Sequence, residues 1–150
     1  MVVQSQFSVF LVDKPGVLAA ITTALAKARI NLVALTLVDS MEHGVLRIVT
    51  DDAEKTRKVL GKAHDRWTET DVVLLELADK PGAFADVTVE LAKAHVNISY
   101  AYCTGGAKYG RTTAVFKLAD IKKAEKILDA VKHNEKPHHK DVKPSPSRKR

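Results

Sequence analysis

The sequence contains one long segment twice, and this repeat constrains the fold more than any other feature. Residues 13–31 read DKPGVLAAITTALAKARIN and residues 79–97 read DKPGAFADVTVELAKAHVN, with 11 of 19 positions identical. The copies begin 66 residues apart, which is longer than the repeats of most solenoid proteins and suits small domains of one kind. We therefore predict two domains, unit one (residues 1–70) and unit two (residues 71–134), followed by a disordered basic tail (residues 135–150).

Each copy predicts a strand, a tight turn and a helix. We expect Asp13 to cap the helix, Pro15 to lie in its first turn and Gly16 to allow close backbone approach. Apolar residues then recur at helical spacing in both copies. These are Val17, Leu18, Ile21, Leu25 and Ala28 in the first copy, and Ala83, Phe84, Val87, Leu91 and Ala94 in the second.

The remaining apolar patterns complete a βαββαβ order in unit one. The strands are predicted at residues 3–12, 32–38, 45–50 and 66–70, and Asp71 is the only break before the next strand, 72–77. Unit two continues with strands 97–104 and 111–118 but lacks a fourth strand, because residues 135–150 have three prolines and no apolar alternation. The predicted fold class is α+β: two ferredoxin-like units side by side, with antiparallel sheets and helices on one face.

Composition is that of a soluble globular protein, with 45% hydrophobic and 28% charged residues. No apolar run reaches the length of a membrane span, and the N-terminus does not resemble a signal peptide. A single cysteine, Cys103, permits no internal disulfide and is typical of a reducing compartment. We expect a cytoplasmic protein that does not contact membranes.

The sequence has no recognisable catalytic or metal-binding motif. Gly105 and Gly106 are expected in a hairpin turn rather than in a phosphate loop, and Cys103 is expected to be a small packed residue. His133, His138 and His139 have no ligand partners at metal-site spacing. We therefore predict no enzyme, no cofactor and no metal site.

Nucleic-acid binding is the main alternative. The net charge is +6, and residues 135–150 carry four of these six charges, which could contact phosphates. RNA-binding modules of ferredoxin-like plan also require exposed aromatic residues on their central strands. The predicted third strands of the two units offer only Phe116, so this alternative is disfavoured.

Residues 11–35 and 77–101 together resemble a tandem pair of ACT domains, which are small ligand-sensing modules of amino-acid metabolism. The (D/N)-x-P-G loop, the helix and the N-(I/L) exit occur in this order twice. The resemblance implies that a small ligand, usually an amino acid, binds where two ACT domains meet. In serine-synthesis dehydrogenases the loop residue and the exit Asn hold the ligand, which implies Asp13 and Asn31 here, with Asp79 and Asn97 as their copies. Those modules also carry a His where this chain has Leu11 and Leu77, so serine is not implied.

The loop chemistry suits an α-amino acid. The helix-start N–H groups of Gly16, Val17 and Leu18 could bind a carboxylate, and oxygens of Asp13 and Asn31 could bind an ammonium group. The alternative is that Asp13 is only a cap and Asn31 only a turn residue. The candidate ligand-binding residues of unit two are the corresponding Asp79, Gly82, Ala83, Phe84 and Asn97, together with Ser99.

Ser99 is predicted to share the Asn97 face of its strand with Ala101 and Cys103, whereas Ile98, Tyr100 and Tyr102 share the other face. The small residues leave room either for a ligand or for a packed helix. Tyr100 and Tyr102 are expected to be packing residues with polar ends at the rim.

The sequence therefore predicts a non-catalytic, amino-acid-sensing regulatory protein that acts on an unidentified enzyme partner. We expect the two loops and the two Asn residues to converge in two pockets at one seam. We also expect a homodimer, because a missing fourth strand would leave strand 72–77 with an uncovered edge. The N-terminal extension or a partner chain could fill that gap.

Overall fold

The computed structural model describes residues 1–39, 43–63, 65–107 and 111–134. The predicted disordered tail, residues 135–150, lies outside the described residues. The order of strands and helices along the chain is βαββαβαββα. The strands are β1 (Val2–Val12), β2 (Leu32–Asp39), β3 (His43–Thr50), β4 (Arg66–Ala78), β5 (Ile98–Ala107) and β6 (Arg111–Leu118). The helices are α1 (Val17–Lys27), α2 (Ala53–Lys62), α3 (Ala83–Lys93) and α4 (Ile121–Asn134).

The described strands form one continuous antiparallel sheet in the order β2-β3-β1-β4-β6-β5. The first four strands in this list have the ferredoxin-like arrangement of unit one. The last three repeat the corresponding part of that arrangement in unit two. The predicted α+β class and the ferredoxin-like plan are confirmed.

β4 belongs to both units. The predicted break at Asp71 is wrong, because Asp71 lies within the strand and pairs with Ser5. Arg66–Leu74 pairs with β1, and Val73–Ala78 pairs with β6. The segment contains no Gly or Pro, and its hydrogen-bond ladder with β1 continues through the polar residues. A strand shared in this way fixes the two units relative to each other.

The N-terminal part of β1 pairs with residues 72–74 of the strand whose edge was expected to be open, which is one of the two alternatives named above. Val2 pairs with Leu74, and Gln4 pairs with Val72. On its other side β4 pairs with β6. The pairing with β1 stops at Leu74, so the extension fills only part of the gap, and the outer strands of the described sheet are β2 and β5.

The helices pack on one face of the sheet. Side chains of β1 that point to this face, Phe7, Val9 and Leu11, form one core with α1 and α2. Side chains of β4 on the same face, beginning with Val73, form a second core with α3 and α4. Trp67 of β4 lies against Phe7 with ring centroids 5.9 Å apart.

The other face of the sheet is rolled so that the two outer strands approach each other. Ala34 of β2 and Tyr102 of β5 belong to one apolar cluster, whose floor is formed by central strands. Gln6 of β1 is fully buried on this face. Its amide nitrogen donates to the Tyr100 hydroxyl (2.5 Å), and its amide oxygen accepts from the Tyr102 hydroxyl (2.9 Å).

The guanidinium of Arg47 lies 4.1 Å from the centre of the Tyr100 ring, in the geometry of a cation–π contact. Burial raises the pKa of the Tyr102 hydroxyl above its ordinary value. Both tyrosines pack, as predicted, but their hydroxyls bond the buried Gln6 instead of lying at the rim.

An ion pair links α2 to β4 and makes stability depend on pH. Arg57 donates two hydrogen bonds of 2.8 Å to Glu69, and this contact, with help from Ser5, lowers the pKa of Glu69 to about 2. Because this pKa is depressed on folding, the stabilisation is present above the ordinary value of 4.5 and is lost as the pH falls towards about 2.

We expect Glu69→Gln to remove this part of the acid sensitivity, and to cost no more than about 1 kcal/mol at neutral pH because the pair is at the surface. Urea unfolding of both proteins between neutral and acidic pH measures it. Parallel curves for the two proteins would contradict the assignment.

Candidate functional site

Helix α1 begins without a side-chain cap. Its N-cap residue is Gly16, which has the left-handed φ of 88°, and no side chain accepts a hydrogen bond from the first turn. The prediction that Asp13 caps this helix is therefore wrong. Asp13 lies three residues before the N-cap Gly16, and the Pro15-Gly16 turn separates it from the helix.

The other two helices, α2 and α4, each begin with an aspartate whose side chain caps the first turn. Asp52 accepts a 3.0 Å hydrogen bond from the Lys55 N–H at the start of α2. Asp120 accepts a 2.9 Å bond from the Lys123 N–H at the start of α4. Only the two helices that follow the DKPG loops, α1 and α3, have a left-handed Gly and no side-chain cap among the described residues. The loops share a structure that leaves helix-start N–H groups available.

The available N–H groups of α1 can be identified from the backbone hydrogen bonds. Val17 N–H makes a long contact of 3.4 Å with the Lys14 carbonyl, and Ala20 N–H bonds the Gly16 carbonyl. The N–H groups of Leu18 and Ala19 have no backbone acceptor within the described part of the chain. Such groups, together with the helix dipole, favour an anion at this position.

A cavity of about 110 Å³ lies at this loop. It brings together three of the predicted site residues, Asp13, Val17 and Leu18. The rest of its lining comes from the ends of β1 and β2 and the beginning of β3. These residues are Leu11, Val12, Lys14, Leu37, Val38, Asp39 and Gly44. The walls are mainly apolar, and the charged residues supply groups of both signs.

Sequence reasoning missed the β2 and β3 side of this cavity. A Cβ atom on Gly44 would lie 3.2 Å from Leu37 Cδ1, which is a tight contact. β1 and β2 are parallel because both pair antiparallel with β3, so both strands end beside the loop. The ferredoxin-like plan already predicts this arrangement, and the end of β2 could have been found from it.

Asn31 does not reach this cavity. It lies just before β2, whereas Asp13 lies just after β1, so the whole of α1 (about 16 Å) separates the two ends. The Asn31 backbone is held in place by Asp51, whose carboxylate accepts from the Asn31 N–H at 2.9 Å and whose own N–H donates to the Asn31 carbonyl at 3.2 Å. The expectation that Asp13 and Asn31 share a pocket is wrong within one chain.

The two loops do not converge either. β1 and β4 are adjacent and antiparallel, so the loops that follow them lie at opposite ends of the sheet. Any site that combines the two loops needs a second copy of the chain.

The loop of unit two differs in its packing. Gly82 repeats the left-handed φ, at 91°, and Asp79 is exposed. Ala83 is buried in the unit-two core, and the Phe84 ring stacks on Phe116 with centroids 5.4 Å apart. Ala83 and Phe84 therefore pack against the core.

Asn97 and Ser99 are both exposed, and the Asn97 carbonyl accepts from the Ala119 N–H at 3.0 Å. A register irregularity lies between Ile98 and Tyr100. Because of it, Ile98 packs with Ala101 on the helix side, and the predicted strict alternation is wrong. Cys103 is exposed rather than packed, and Gly105 and Gly106 lie in β5 rather than in a turn.

The conformation of the loop glycines predicts a stability effect. Nothing lies within 4 Å of an added Cβ at Gly16, Gly82 or Gly61, but only Gly16 and Gly82 have positive φ. We expect Gly16→Ala and Gly82→Ala each to cost about 1 kcal/mol from backbone strain. The matched control, Gly61→Ala within α2, should stabilise by about 0.5–1 kcal/mol. Chemical denaturation measures all three, and equal effects would contradict the strain argument.

None of the helices within the described residues is long and apolar enough to cross a membrane. The same residues hold no group of three or more His, Cys, Asp or Glu side chains that could bind a metal ion.

Comparisons with known proteins agree with this architecture. The family model described as an ACT domain pair matches residues 1–136. Protein BT0572 from Bacteroides thetaiotaomicron is 34% identical, with a TM-score of 0.80 over 87% of this chain and 89% of that one. The regulatory subunit of aspartate kinase from Thermus thermophilus, in its ligand-free form, is 16% identical, with a TM-score of 0.65 over 89% and 97% of the two chains. Its counterpart from Thermus flavus is 18% identical, with a TM-score of 0.60 over 88% and 94%. A comparison with curated proteins gives no significant match.

Proposed function

Because this chain belongs to the family of ACT domain pairs, we propose that it is a non-catalytic regulatory protein that binds a free amino acid. The ligand lies in the cavity at the unit-one loop, and a second copy of the chain closes that cavity as an ACT–ACT interface. The protein acts in the cytoplasm and passes the signal to an enzyme of amino-acid metabolism.

One observation supports this proposal above the others. Asp13 lines the cavity beside the start of α1, but within the described residues its carboxylate caps no helix. A carboxylate that merely capped α1 would accept hydrogen bonds from its first turn, as Asp52 does in α2. Asp13 instead lines the cavity. A ligand that brings its own carboxylate to the helix and its own ammonium group to Asp13 satisfies both features.

The cavity suits the rest of an amino acid as well. Leu18, Leu37 and Val38 offer apolar contacts for a side chain. Asp39 adds a second carboxylate for the ammonium group. At about 110 Å³ the cavity is smaller than the roughly 300–1,000 Å³ of drug-sized sites, which favours a small ligand.

The surface beside the cavity supports self-association. Leu37 and Val38 are 47% and 45% exposed, and Phe10 and Val12 of β1 are 40% and 44% exposed. Leu37 and Val38 lie on β2, an outer strand with a free edge in the described sheet, and Phe10 and Val12 lie two strands further in, on β1. Apolar side chains beside an unpaired edge favour pairing with another chain. A homodimer formed here places new residues over the cavity.

A thermal-shift screen against the twenty amino acids tests the function. A ligand present at 100 times its dissociation constant adds about 2.7 kcal/mol of stability, which is readily measured. Light scattering with and without the best ligand then tests the dimer. A protein that none of the twenty stabilises, or that remains a monomer with ligand bound, would refute the respective part of the proposal.

The described surface gives the nucleic-acid alternative little support, because Phe10 of β1 is the one aromatic residue that is exposed on the helix-free face among the described residues. RNA-binding modules of this plan stack bases on exposed aromatic residues of the helix-free face. Here the two tyrosines of that face are bonded to Gln6, and Arg47 covers one of their rings. We therefore propose amino-acid sensing alone.

A further inference from the structure

A second cavity, of about 620 Å³, lies on the helix-free face where unit one meets unit two; we call it the seam cavity. It is located at the end of the sheet where β1 begins and β4 ends. Apart from Met1, its residues come from four strands, and they include none of the loop residues described above. Its size falls within the range of about 300–1,000 Å³ that is typical of small-molecule sites.

The inner wall of the seam cavity is apolar. Val2 and Leu74 lie opposite each other on paired strands, and Val33 of β2 reaches them across the rolled face. Leu74 and Val33 belong to the apolar cluster behind the cavity. This wall can bury a branched aliphatic group.

Gln4 adds an unsatisfied polar group. Its side-chain oxygen is buried and has no hydrogen-bond partner within the described structure, although the residue lines the cavity. A buried acceptor without a partner is costly and usually signals a missing one. A change of the Gln4 side-chain rotamer moves the whole amide towards the cavity, where a ligand hydroxyl or N–H group can donate to this oxygen.

The guanidinium of Arg111 lies at the outer rim of the seam cavity, and within the described residues only one of its nitrogens makes an ion pair. Arg111 makes one contact with Glu76, Nη1 to Oε2 at 3.2 Å, and both side chains are at least half exposed. An ion pair of this kind contributes little, so a ligand can replace it at small cost. The fork geometry of arginine suits a carboxylate, and the Thr113 side chain stands beside it.

We propose that the seam cavity binds a small carboxylate that has a branched apolar chain and a hydrogen-bond donor beside the carboxylate. Arg111 holds the carboxylate, Gln4 accepts from the donor, and the valine–leucine wall buries the chain. This site is independent of the amino-acid site at the loop, since it needs no ammonium group and no second copy of the chain.

The probe is 2-hydroxy-4-methylpentanoate, which has all three features but lacks the ammonium group that Asp13 is proposed to bind. We expect calorimetric titration of the full chain to show binding in the millimolar range or tighter. Gln4→Leu should weaken it about tenfold by removing the acceptor. Arg111→Gln, at an exposed position, should weaken it at least tenfold. The analogue 4-methylpentanoate lacks the hydroxyl. It should bind the wild type about tenfold more weakly than the probe does, and it should bind Gln4→Leu as tightly as the probe binds Gln4→Leu.

Two controls separate this proposal from the loop site and from a structural effect. Asp13→Ala should leave binding of the probe unchanged. Gln4→Leu should keep or raise the melting temperature, because it removes an unpartnered buried oxygen. No binding of the probe by the wild type would overturn the proposal, as would an affinity that neither Gln4→Leu nor Arg111→Gln changes. Neither result bears on amino-acid binding at the loop.

Discussion

Replacing Gln6 with alanine should destabilise the protein by about 3 kcal/mol. The Gln6 side chain bonds two tyrosine hydroxyls from β5, an outer strand, while it lies on β1, a central strand. Its loss leaves both hydroxyls without their partner, and each such loss costs about 1–3 kcal/mol. The lower half of that range applies because Tyr100 and Tyr102 are only partly buried. Chemical denaturation at neutral pH measures the change.

Gln4 provides a matched control for this prediction. It is the same residue type two positions earlier on the same face of β1, but its amide oxygen has no partner. Gln4→Ala should therefore cost at most about 1 kcal/mol. A double-mutant cycle of Gln6→Ala with Tyr102→Phe should give a coupling of about 1 kcal/mol. Equal losses at Gln4 and Gln6 would show that these bonds do not hold the rolled face together.

Replacing Asp13 with alanine should weaken amino-acid binding by about 10- to 100-fold. A charge-assisted hydrogen bond between a carboxylate and an ammonium group contributes about 1.5–3 kcal/mol, and every 1.4 kcal/mol is tenfold in affinity. Stability should change little, since Asp13 is exposed and caps no helix.

Asp52→Ala is the matched control for Asp13→Ala. Asp52 is a true cap of α2, so its loss should cost about 1 kcal/mol of stability and leave binding unchanged. Calorimetry of both variants measures the affinity for the amino acid, and chemical denaturation measures the free energy of unfolding. If Asp13→Ala instead lost stability like a cap and kept its affinity, Asp13 would be a structural residue.

The repeat and the apolar periodicity predicted most of the fold. Helices α1 and α3 could be predicted because each DKPG loop is followed by apolar residues at helical spacing. Residue type alone does not predict the continuity of β4, because an Asp directly before an apolar run is typical of a break between strands. Asp71 does not interrupt β4, because Ser5 of β1 pairs with it and the hydrogen-bond ladder between the two strands continues.

The rolled sheet and the location of the site were harder to predict. The approach of β2 to β5 depends on the accumulated twist and coiling of six strands, which no local pattern reports. The irregularity near Ser99 changed which residues share a face, because one extra residue reverses the alternation. Asp13 was interpreted as a cap because Asp before an apolar run usually is one. The Pro15-Gly16 pair was the available signal that a turn would separate it from the helix.

The central claim is that unit one binds both ends of a free amino acid. Calorimetric titration of the wild-type chain tests it most directly, with three ligands: the best amino acid of the screen, its methyl ester and its deaminated analogue. The helix-start N–H groups require the free carboxylate, and Asp13 requires the ammonium group. We therefore predict that the amino acid binds and that each analogue binds at least about tenfold more weakly. Equal binding of the three compounds, or no binding of any amino acid, would contradict the account.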